Sequence, residues 1–245
     1  KQFQREKVFV VGTFDTKGKE LNYIRDLILE QGSKVRTVDL STSGKLSSAD
    51  VPPHQVASHH PKGPSMVFSD QRGASVREMG LAFERWILYQ RDVGGIISAG
   101  GSGGTAMATP AMRSLPVGIP KVMISTVASG DVGQYVGPSD IMMMYSVTDI
   151  QGLNQISMQV LANGAYAIAG MMNSSYKKTT KSQASAAKPC LGMTMFGVTT
   201  PAVQQISTLI EEKYECLVFH ATGTGGRSME KLADSGMLAA VIDLT

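Results

Sequence analysis

The sequence lacks the features that mark several large classes of protein. Its 245 residues contain only two cysteines, Cys190 and Cys216, which excludes a disulfide scaffold and indicates a reducing compartment. Neither cysteine has another cysteine or a histidine at zinc-ligand spacing, so we expect no structural zinc site. No apolar run approaches the roughly 20 residues that span a bilayer. The polar first seven residues do not resemble a secretory signal. We therefore expect a cytoplasmic protein without a membrane partner.

The sequence also lacks a large excess of positive or negative charge. The formal net charge is +3, and the basic residues form no block, which argues against a dedicated nucleic-acid binder. Hydrophobic residues make up 42% of the chain and charged residues 18%, a globular rather than a disordered composition. The length suits one large domain or two small ones.

Alternating strand and helix patterns run through the chain. Residues 8–11 are a continuous apolar run that ends at Gly12, as in a buried parallel strand. Apolar residues at three- and four-residue spacing then predict a helix over about 19–31, and 35–40 reads as the next strand. This is a βαβ unit, which implies a parallel sheet. Further strands are predicted at 95–98, 122–125, 141–145, 191–196, 216–220 and 241–244.

These patterns predict an α/β fold with a doubly wound, mostly parallel, Rossmann-like sheet and a second, incomplete α/β lobe. We place the first lobe at 1–172, a mobile linker rich in Ser, Thr and Lys at 173–188, and the start of the second lobe at 189–245. The second lobe is expected to be unfinished because one or two βαβ units make a thin sheet. Residues 41–65, with their Ser, Pro, Gly and His, are predicted to form an excursion outside the core.

Four loops follow predicted strands, at the edge where open α/β sheets bind ligands. They occupy 12–17, 100–105, 125–130 and 222–226. Gly, Ser and Thr there offer backbone N–H groups, hydroxyls and a helix N-terminus, which together suit a phosphate. Neither the P-loop nor the Gly-x-Gly-x-x-Gly pattern is present. The loops therefore predict a phosphate or nucleotide ligand without specifying which one.

Individual residues in these loops allow two interpretations. Asp15 could contact Mg²⁺ or a ribose and Lys17 a phosphate, or they could be a helix cap and a solvated lysine. Arg72 could clamp an anion or form an ion pair at a helix start. His220 could act in acid–base chemistry or be a hydrogen-bonded structural residue. The sequence shows no credible Ser/His/Asp arrangement, so we expect no hydrolase triad.

Seven segments occur in a distinctive order: residues 11–17, 39–42, 100–105, 113–121, 124–130, 195–201 and 218–223. Together they resemble the Tm-one-like ATP-binding family, named for a tomato protein that confers resistance to tomato mosaic virus. The resemblance covers about residues 7–244. Members of that family continue beyond the last predicted strand, so we expect this chain to hold the first lobe and the start of the second.

The resemblance implies two α/β lobes, ATP binding and a homodimer, and leaves Mg²⁺ and a protein partner open. The residues that match its nucleotide loops are Gly12, Thr13, Asp15, Thr16, Lys17, Gly100, Gly101, Ser102, Gly103, Gly104, Thr105, Thr126, Ala128, Ser129 and Gly130. The loop argument adds Thr222 and Gly223. A branched side chain at Gly103 should block a phosphate and also strain a positive φ.

Three functions remain open on this basis. The protein could be an ATP-binding protein whose nucleotide organises the lobes or a partner surface. It could be an enzyme that acts on a phosphorylated or carboxylated small molecule, or an interaction module whose glycine loops are only turns. Small residues on the predicted long helix suit either packing on the sheet or a homodimer interface: Ala162, Gly164, Ala165, Ala167, Ala169 and Gly170.

Overall fold

The structure, a computed structural model, describes residues 6–173 and 188–245. The chain divides into two compact units, Lys1–Asn173 and Ser174–Thr245. Apart from its two end residues, the predicted linker at 173–188 lies outside the described residues, so its mobility stays a prediction. No described helix is long and apolar enough to cross a membrane.

The described part of the first unit contains one sheet of five parallel strands: β1 (Lys7–Gly12), β2 (Lys34–Asp39), β3 (Val93–Gly100), β4 (Lys121–Ser125) and β5 (Met142–Tyr145). Their spatial order is β2-β1-β3-β4-β5. The chain winds outward from β1 to β2, then returns to the other side of β1 to build the rest. The order therefore reverses between β1 and β3, which is the topological switch point of a doubly wound sheet.

Helices cover both faces of this sheet. They are α1 (Phe14–Glu30), α2 (Pro53–Ala57), α3 (Arg72–Ile87), α4 (Ser102–Ser114), α5 (Gly133–Val136) and α6 (Gln155–Asn173). Val8 and Val10 of β1 pack in the cluster of α1 and α6, whereas Phe9 and Val11 pack with α3 and α4. Alternate residues of a strand face opposite sides, so a strand covered on both sides must be apolar throughout. The predicted doubly wound α/β class is confirmed.

The described part of the second unit has a smaller parallel sheet: β6 (Cys190–Met195), β7 (Glu215–His220) and β8 (Ala240–Ile242), in the order β7-β6-β8. Its helices are α7 (Thr200–Ile210) and α8 (Thr224–Asp234). Its core is correspondingly thin, with Leu191, Met193 and Val203 as the buried cluster. In both units the first strand lies between the next two strands of the chain: β1 between β2 and β3, and β6 between β7 and β8.

The prediction that residues 41–65 lie outside the core is wrong. Val51, Val56 and Ala57 are completely buried in the α3 and α4 cluster. The Asp39 N–H donates to the Val51 carbonyl at 2.9 Å, which places this segment along the outer edge of β2. An exposed strand edge leaves backbone groups unpaired, and the excursion satisfies some of those groups while it covers the apolar face.

The small residues of α6 serve mainly to bring it close to the sheet. Gly164, Ala165 and Ala169 are buried. A β-carbon on Gly164 would lie 2.5 Å from Cδ1 of Ile124 in β4. These three residues therefore pack against the sheet, and they are not available to a homodimer interface on the outer side of the helix. Gly170 is exposed, and a β-carbon there would meet nothing within 4 Å.

Candidate functional site

A cavity of about 440 Å³ lies at the switch point, at the carboxyl ends of β1 and β3. From the first predicted loop, Thr13, Asp15, Thr16 and Lys17 line it. From the second loop, residues 100–104 line it. The strand order brings these two loops together, although about 85 residues of sequence separate them.

The first backbone N–H groups of α1 already have hydrogen-bond acceptors, which are side-chain oxygens of β2 and of the segment after it. A short helical turn from Phe14 precedes a break at Lys17 (φ -122°, ψ 20°), so the regular helix starts close to the predicted residue 19. Asp39 Oδ1 accepts from the Phe14 N–H at 3.0 Å, and Ser41 Oγ accepts from the Asp15 N–H at 3.2 Å. Asp39 is only 1% exposed. Asp39 and Ser41 therefore act as a cap supplied from outside the helix, and these two α1 amides are not available to a ligand.

The amino terminus of α4 has no such cap. Its N-cap residue is Gly101, which offers no side chain, and the first turn carries no acidic residue. A β-carbon on Gly103 would come no closer than 3.9 Å to Val76, and one on Gly104 would meet nothing within 4 Å. The expectation of a positive φ at Gly103 is wrong, because this residue is part of the helix. The missing side chains instead leave cavity space open above uncapped N–H groups.

Charged side chains of both signs surround the cavity. Lys17 lines it and also donates from its ammonium to the Ile150 carbonyl. Arg72, the first residue of α3, is exposed and forms no hydrogen bond or ion pair with any other described residue. Asp15 and Asp149 contribute carboxylates to the lining. The two cations suit a polyphosphate, and the carboxylates could hold a divalent cation bound to it.

Two predicted residues of the cavity loops have structural tasks instead. A β-carbon on Gly12 would lie 2.9 Å from Leu21, so this glycine lets α1 pack closely on β1. Thr105 is completely buried, and its hydroxyl contacts the Gly101 carbonyl at 2.8 Å and Ser125 Oγ at 2.6 Å. It ties the start of α4 to the end of β4 without lining the cavity.

The other two predicted loops are not part of this cavity. Thr126, Ala128, Ser129 and Gly130 follow β4, one strand further along the sheet, and are absent from the lining. Thr222 and Gly223 follow β7 and belong to the second unit. Their proposed roles in nucleotide binding stay predictions.

Several residues that line the cavity were not among the nucleotide-binding residues predicted from the sequence. Thr42 and Ser43 follow β2 and Asp149 follows β5, so their position after a strand was a usable signal. Val76 and Met107 lie inside helices and reach the cavity only because α3 and α4 pack side by side. No local pattern distinguishes such residues from other apolar helix positions.

Outside the cavity, the excursion is fastened to α3 by a buried histidine. His60 Nδ1 accepts from the Lys62 N–H at 3.1 Å, which places the ring proton on Nε2, 2.8 Å from Glu78 Oε2. The hydrogen bond from His60 lowers the pKa of Glu78, and Arg77 lowers it further. The described residues contain no group of three or more side chains suited to a metal ion. The contacts of His60 with Lys62 and Glu78 hold residues 41–65 against α3.

The switch-point cavity and the strand order define a doubly wound α/β protein of flavodoxin-like topology in its first unit. Residues 6–177 match the N-terminal domain of the uncharacterised protein family UPF0261, and residues 188–245 match its C-terminal domain. The chain belongs to the UPF0261 family.

Similar proteins occur in bacteria and in tomato. A UPF0261 protein of Mesorhizobium japonicum is 49% identical over 241 residues, which are 98% of this chain and 59% of the relative. One of Clostridium tetani is 42% identical over 98% of this chain and 60% of its own length. The tomato mosaic virus resistance protein Tm-1 of Solanum lycopersicum is 41% identical over 265 residues, all of this chain and 35% of that protein. The resemblance drawn from the motifs is confirmed, and this chain spans less than two thirds of each relative.

Proposed function

We propose that this protein binds ATP or ADP in the switch-point cavity, with the phosphates on the amino terminus of α4. One observation carries the proposal: the α4 terminus is uncapped and open to the cavity, whereas Asp39 and Ser41 cap the neighbouring α1 terminus. Free N–H groups at a helix N-terminus, aided by the helix dipole, bind phosphate.

The rest of the cavity supports a nucleotide of this size. Its volume of about 440 Å³ lies in the range of small-molecule sites, roughly 300–1,000 Å³. Lys17 and Arg72 supply positive charge near the phosphates, while Val76 and Met107 supply apolar surface. The resemblance to the Tm-one-like family favours ATP, and we propose that the bound nucleotide organises the lobes or a partner surface.

The test uses two helical glycines whose β-carbons meet nothing within 4 Å, Gly104 in the cavity and Gly170 on the exposed side of α6. Replacing either by Ala should raise the free energy of unfolding by up to about 1 kcal/mol, because Ala has the higher helix propensity. Only Gly104→Ala should weaken ATP binding, by about tenfold or more in calorimetry, because its methyl group stands where the phosphate approaches. Gly103→Val should weaken it further.

Unchanged ATP affinity in Gly104→Ala, with the fold intact by circular dichroism, would remove the α4 terminus from the site. Equal weakening in Gly170→Ala would show that the loss is not local to the cavity.

A second function is favoured by a chain of polar groups that leads into the cavity. Ser41 Oγ lies 2.8 Å from Asp15 Oδ1 and 2.5 Å from Asp39 Oδ1. A carboxylate held in this way beside Lys17 suits proton transfer, so the alternative is an enzyme acting on a phosphorylated or carboxylated small molecule. Phosphate release from ATP that is lost in Asp15→Asn would favour the enzyme, and binding without release would favour the non-enzymatic role.

We also propose that the chain forms a homodimer in the cytoplasm. Apolar residues stay exposed on the outward side of α6, among them Ile156 and Tyr166, which are 45% and 46% exposed. Exposed apolar residues on one helix are typical of interfaces. Both cysteines are free thiols, which fits a reducing compartment.

A further inference from the structure

Residues 146–152 lead from β5 towards α6 and pass the switch-point cavity, which Asp149 lines. Two charged side chains of α1 hold the backbone of this segment, called here the β5 loop. The Lys17 ammonium donates to the Ile150 carbonyl, and Glu20 Oε1 accepts from the Gly152 N–H at 2.6 Å. Lys17 lies at a break in α1, with φ of -122° and ψ of 20°, and Glu20 lies in the regular helix that follows.

The conformation of the β5 loop is one that its own residues disfavour. Val147 has φ of 66°, the only positive value outside glycine among the described residues, and a β-branched side chain is ill suited to that region. The Thr148 N–H donates to the Ser146 carbonyl at 2.7 Å, which closes a tight three-residue turn around Val147. The Thr148 hydroxyl is buried without a partner among the described residues.

Strained backbone and an unpaired buried hydroxyl persist only where surrounding contacts impose them. Within the loop, Ser146 Oγ donates to the Thr148 carbonyl at 2.6 Å, and the Ile150 side chain is 1% exposed in the core. Backbone contacts at the two ends of the loop add to these. The Ser146 N–H donates to the Ser125 carbonyl at 3.2 Å, and at the far end Glu20 accepts from Gly152, whose carbonyl also accepts from Ser157 Oγ at 3.2 Å. Glu20 is 2% exposed and does not line the cavity, so it does not itself contact a ligand there.

We propose that Glu20 is a positioning residue for Lys17. By fixing the Gly152 N–H, Glu20 holds the β5 loop so that the Ile150 carbonyl orients the Lys17 ammonium at the wall of the cavity. An ammonium has three N–H donors, so Lys17 can keep this bond and still donate to an anion. Preorganisation of this kind lowers the entropic cost of binding. The inference rests on the proposed binding of a nucleotide, and its ligand contact is between Lys17 and a phosphate.

Whether Glu20→Ala strengthens or weakens ATP binding distinguishes a positioning role from a purely electrostatic effect of the carboxylate. Removing a carboxylate near an anion site should strengthen anion binding if charge alone matters. Under the proposal, Glu20→Ala releases the β5 loop and weakens ATP binding, by about tenfold in calorimetry. Glu20→Gln loses the charge but keeps an oxygen that accepts from Gly152, so it should retain the affinity of the unaltered chain or exceed it.

A double-mutant cycle shows whether the effect passes through Lys17. Glu20→Ala should weaken ATP binding in the unaltered chain and have no further effect in Lys17→Met. Adenosine, which has no phosphate, should bind Glu20→Ala as well as it binds the unaltered chain. Glu20→Asp, whose shorter side chain cannot reach Gly152, takes the place of Glu20→Ala if circular dichroism shows that the alanine variant does not fold.

The binding measurements distinguish failure of the positioning role of Glu20 from failure of nucleotide binding itself. Additive losses for Glu20→Ala and Lys17→Met, or tighter ATP binding by Glu20→Ala, would overturn the positioning role while leaving nucleotide binding in place. Failure of the unaltered chain to bind ATP, ADP or inorganic triphosphate would overturn the proposed function and this inference with it.

Discussion

Two lysines show how residues of one type acquire different tasks. Lys121 has a completely buried side chain, and its ammonium donates to the Pro116 and Ile119 carbonyls and to Asp140 at 2.6 Å. A buried charge is tolerable only when paired and hydrogen-bonded, so Lys121 is a structural residue that fastens the turn before β4. The Lys17 ammonium also donates to a carbonyl, but its side chain lines the cavity and can still contact a ligand.

Two glutamates of α3 provide a pH prediction with opposite signs. The hydrogen bond from His60 lowers the pKa of Glu78 below its ordinary value of 4.5, whereas burial raises the pKa of Glu84 above it. A carboxylate whose pKa is lower in the folded state stabilises the fold at pH values above its unfolded-state pKa. This contribution is lost as the pH falls through the folded-state pKa. In denaturant titrations, Glu78→Gln should therefore reduce the free energy of unfolding at pH 7 and have no effect once the pH is below the lowered pKa of Glu78.

Glu84→Gln is the matched control. Its raised pKa means that ionisation costs stability, so the substitution should leave the free energy of unfolding at pH 7 unchanged or increase it. Equal losses in the two variants across the pH range would show that Glu78 contributes by packing rather than by charge.

At the level of elements, helices are set by contacts as much as by their own sequences. The first turn of α1, which precedes the break at Lys17, is capped by Asp39 of β2 and by Ser41 after it. α6 lies close to the sheet because Gly164 has no side chain to strike Ile124. In both cases the deciding group belongs to another element.

Gly164→Ala tests the close approach of α6. Its β-carbon would stand 2.5 Å from Cδ1 of Ile124, which is itself completely buried. Overpacking of this kind costs about 1–3 kcal/mol, so the melting temperature and the free energy of unfolding should fall. Gly170→Ala on the same helix, with open space around it, should not lower either quantity. A Gly164→Ala variant as stable as the unaltered chain would contradict this packing.

At the scale of the whole molecule, the first unit leaves one surface to explain. The outward side of α6 exposes Ile156, Met158 and Tyr166. Within α3 and α4 only Leu81 is a large exposed apolar residue, at 38%, and Leu88 and Tyr89 are exposed directly after α3. Scattered apolar residues need no explanation, but several on one helix suit a contact with a second copy.

The homodimer predicts a mass of twice the 26.1 kDa chain by light scattering at micromolar concentration. Tyr166→Glu should shift it to the mass of one chain, because it places a charge in an apolar interface. Leu81→Glu, an equivalent change on the other layer, should leave the mass doubled. A single-chain mass for the unaltered protein would exclude the dimer, and dissociation by Leu81→Glu alone would move the interface to that layer.

The order of strands and helices and the class of fold could be predicted from residue patterns alone, because hydrophobic periodicity is local and does not depend on how the elements are arranged. The same patterns also placed Asp15, Lys17 and the glycines of 100–104 at the ends of strands, where a parallel sheet binds ligands. Such residues could be named before the structure, since a loop after a strand is recognisable from its neighbours alone.

Which loops share a cavity, and which backbone amides have no hydrogen-bond acceptor, depends on contacts between distant parts of the chain. The lining by 100–104 but not by 126–130 follows from the reversal of strand order between β1 and β3. The free terminus of α4 and the capped terminus of α1 differ because Asp39 and Ser41 reach one and not the other. The same holds for Glu20, whose bond to Gly152 spans 132 residues of sequence. Contacts between distant segments carry no local periodicity, and they exist only once the chain has folded.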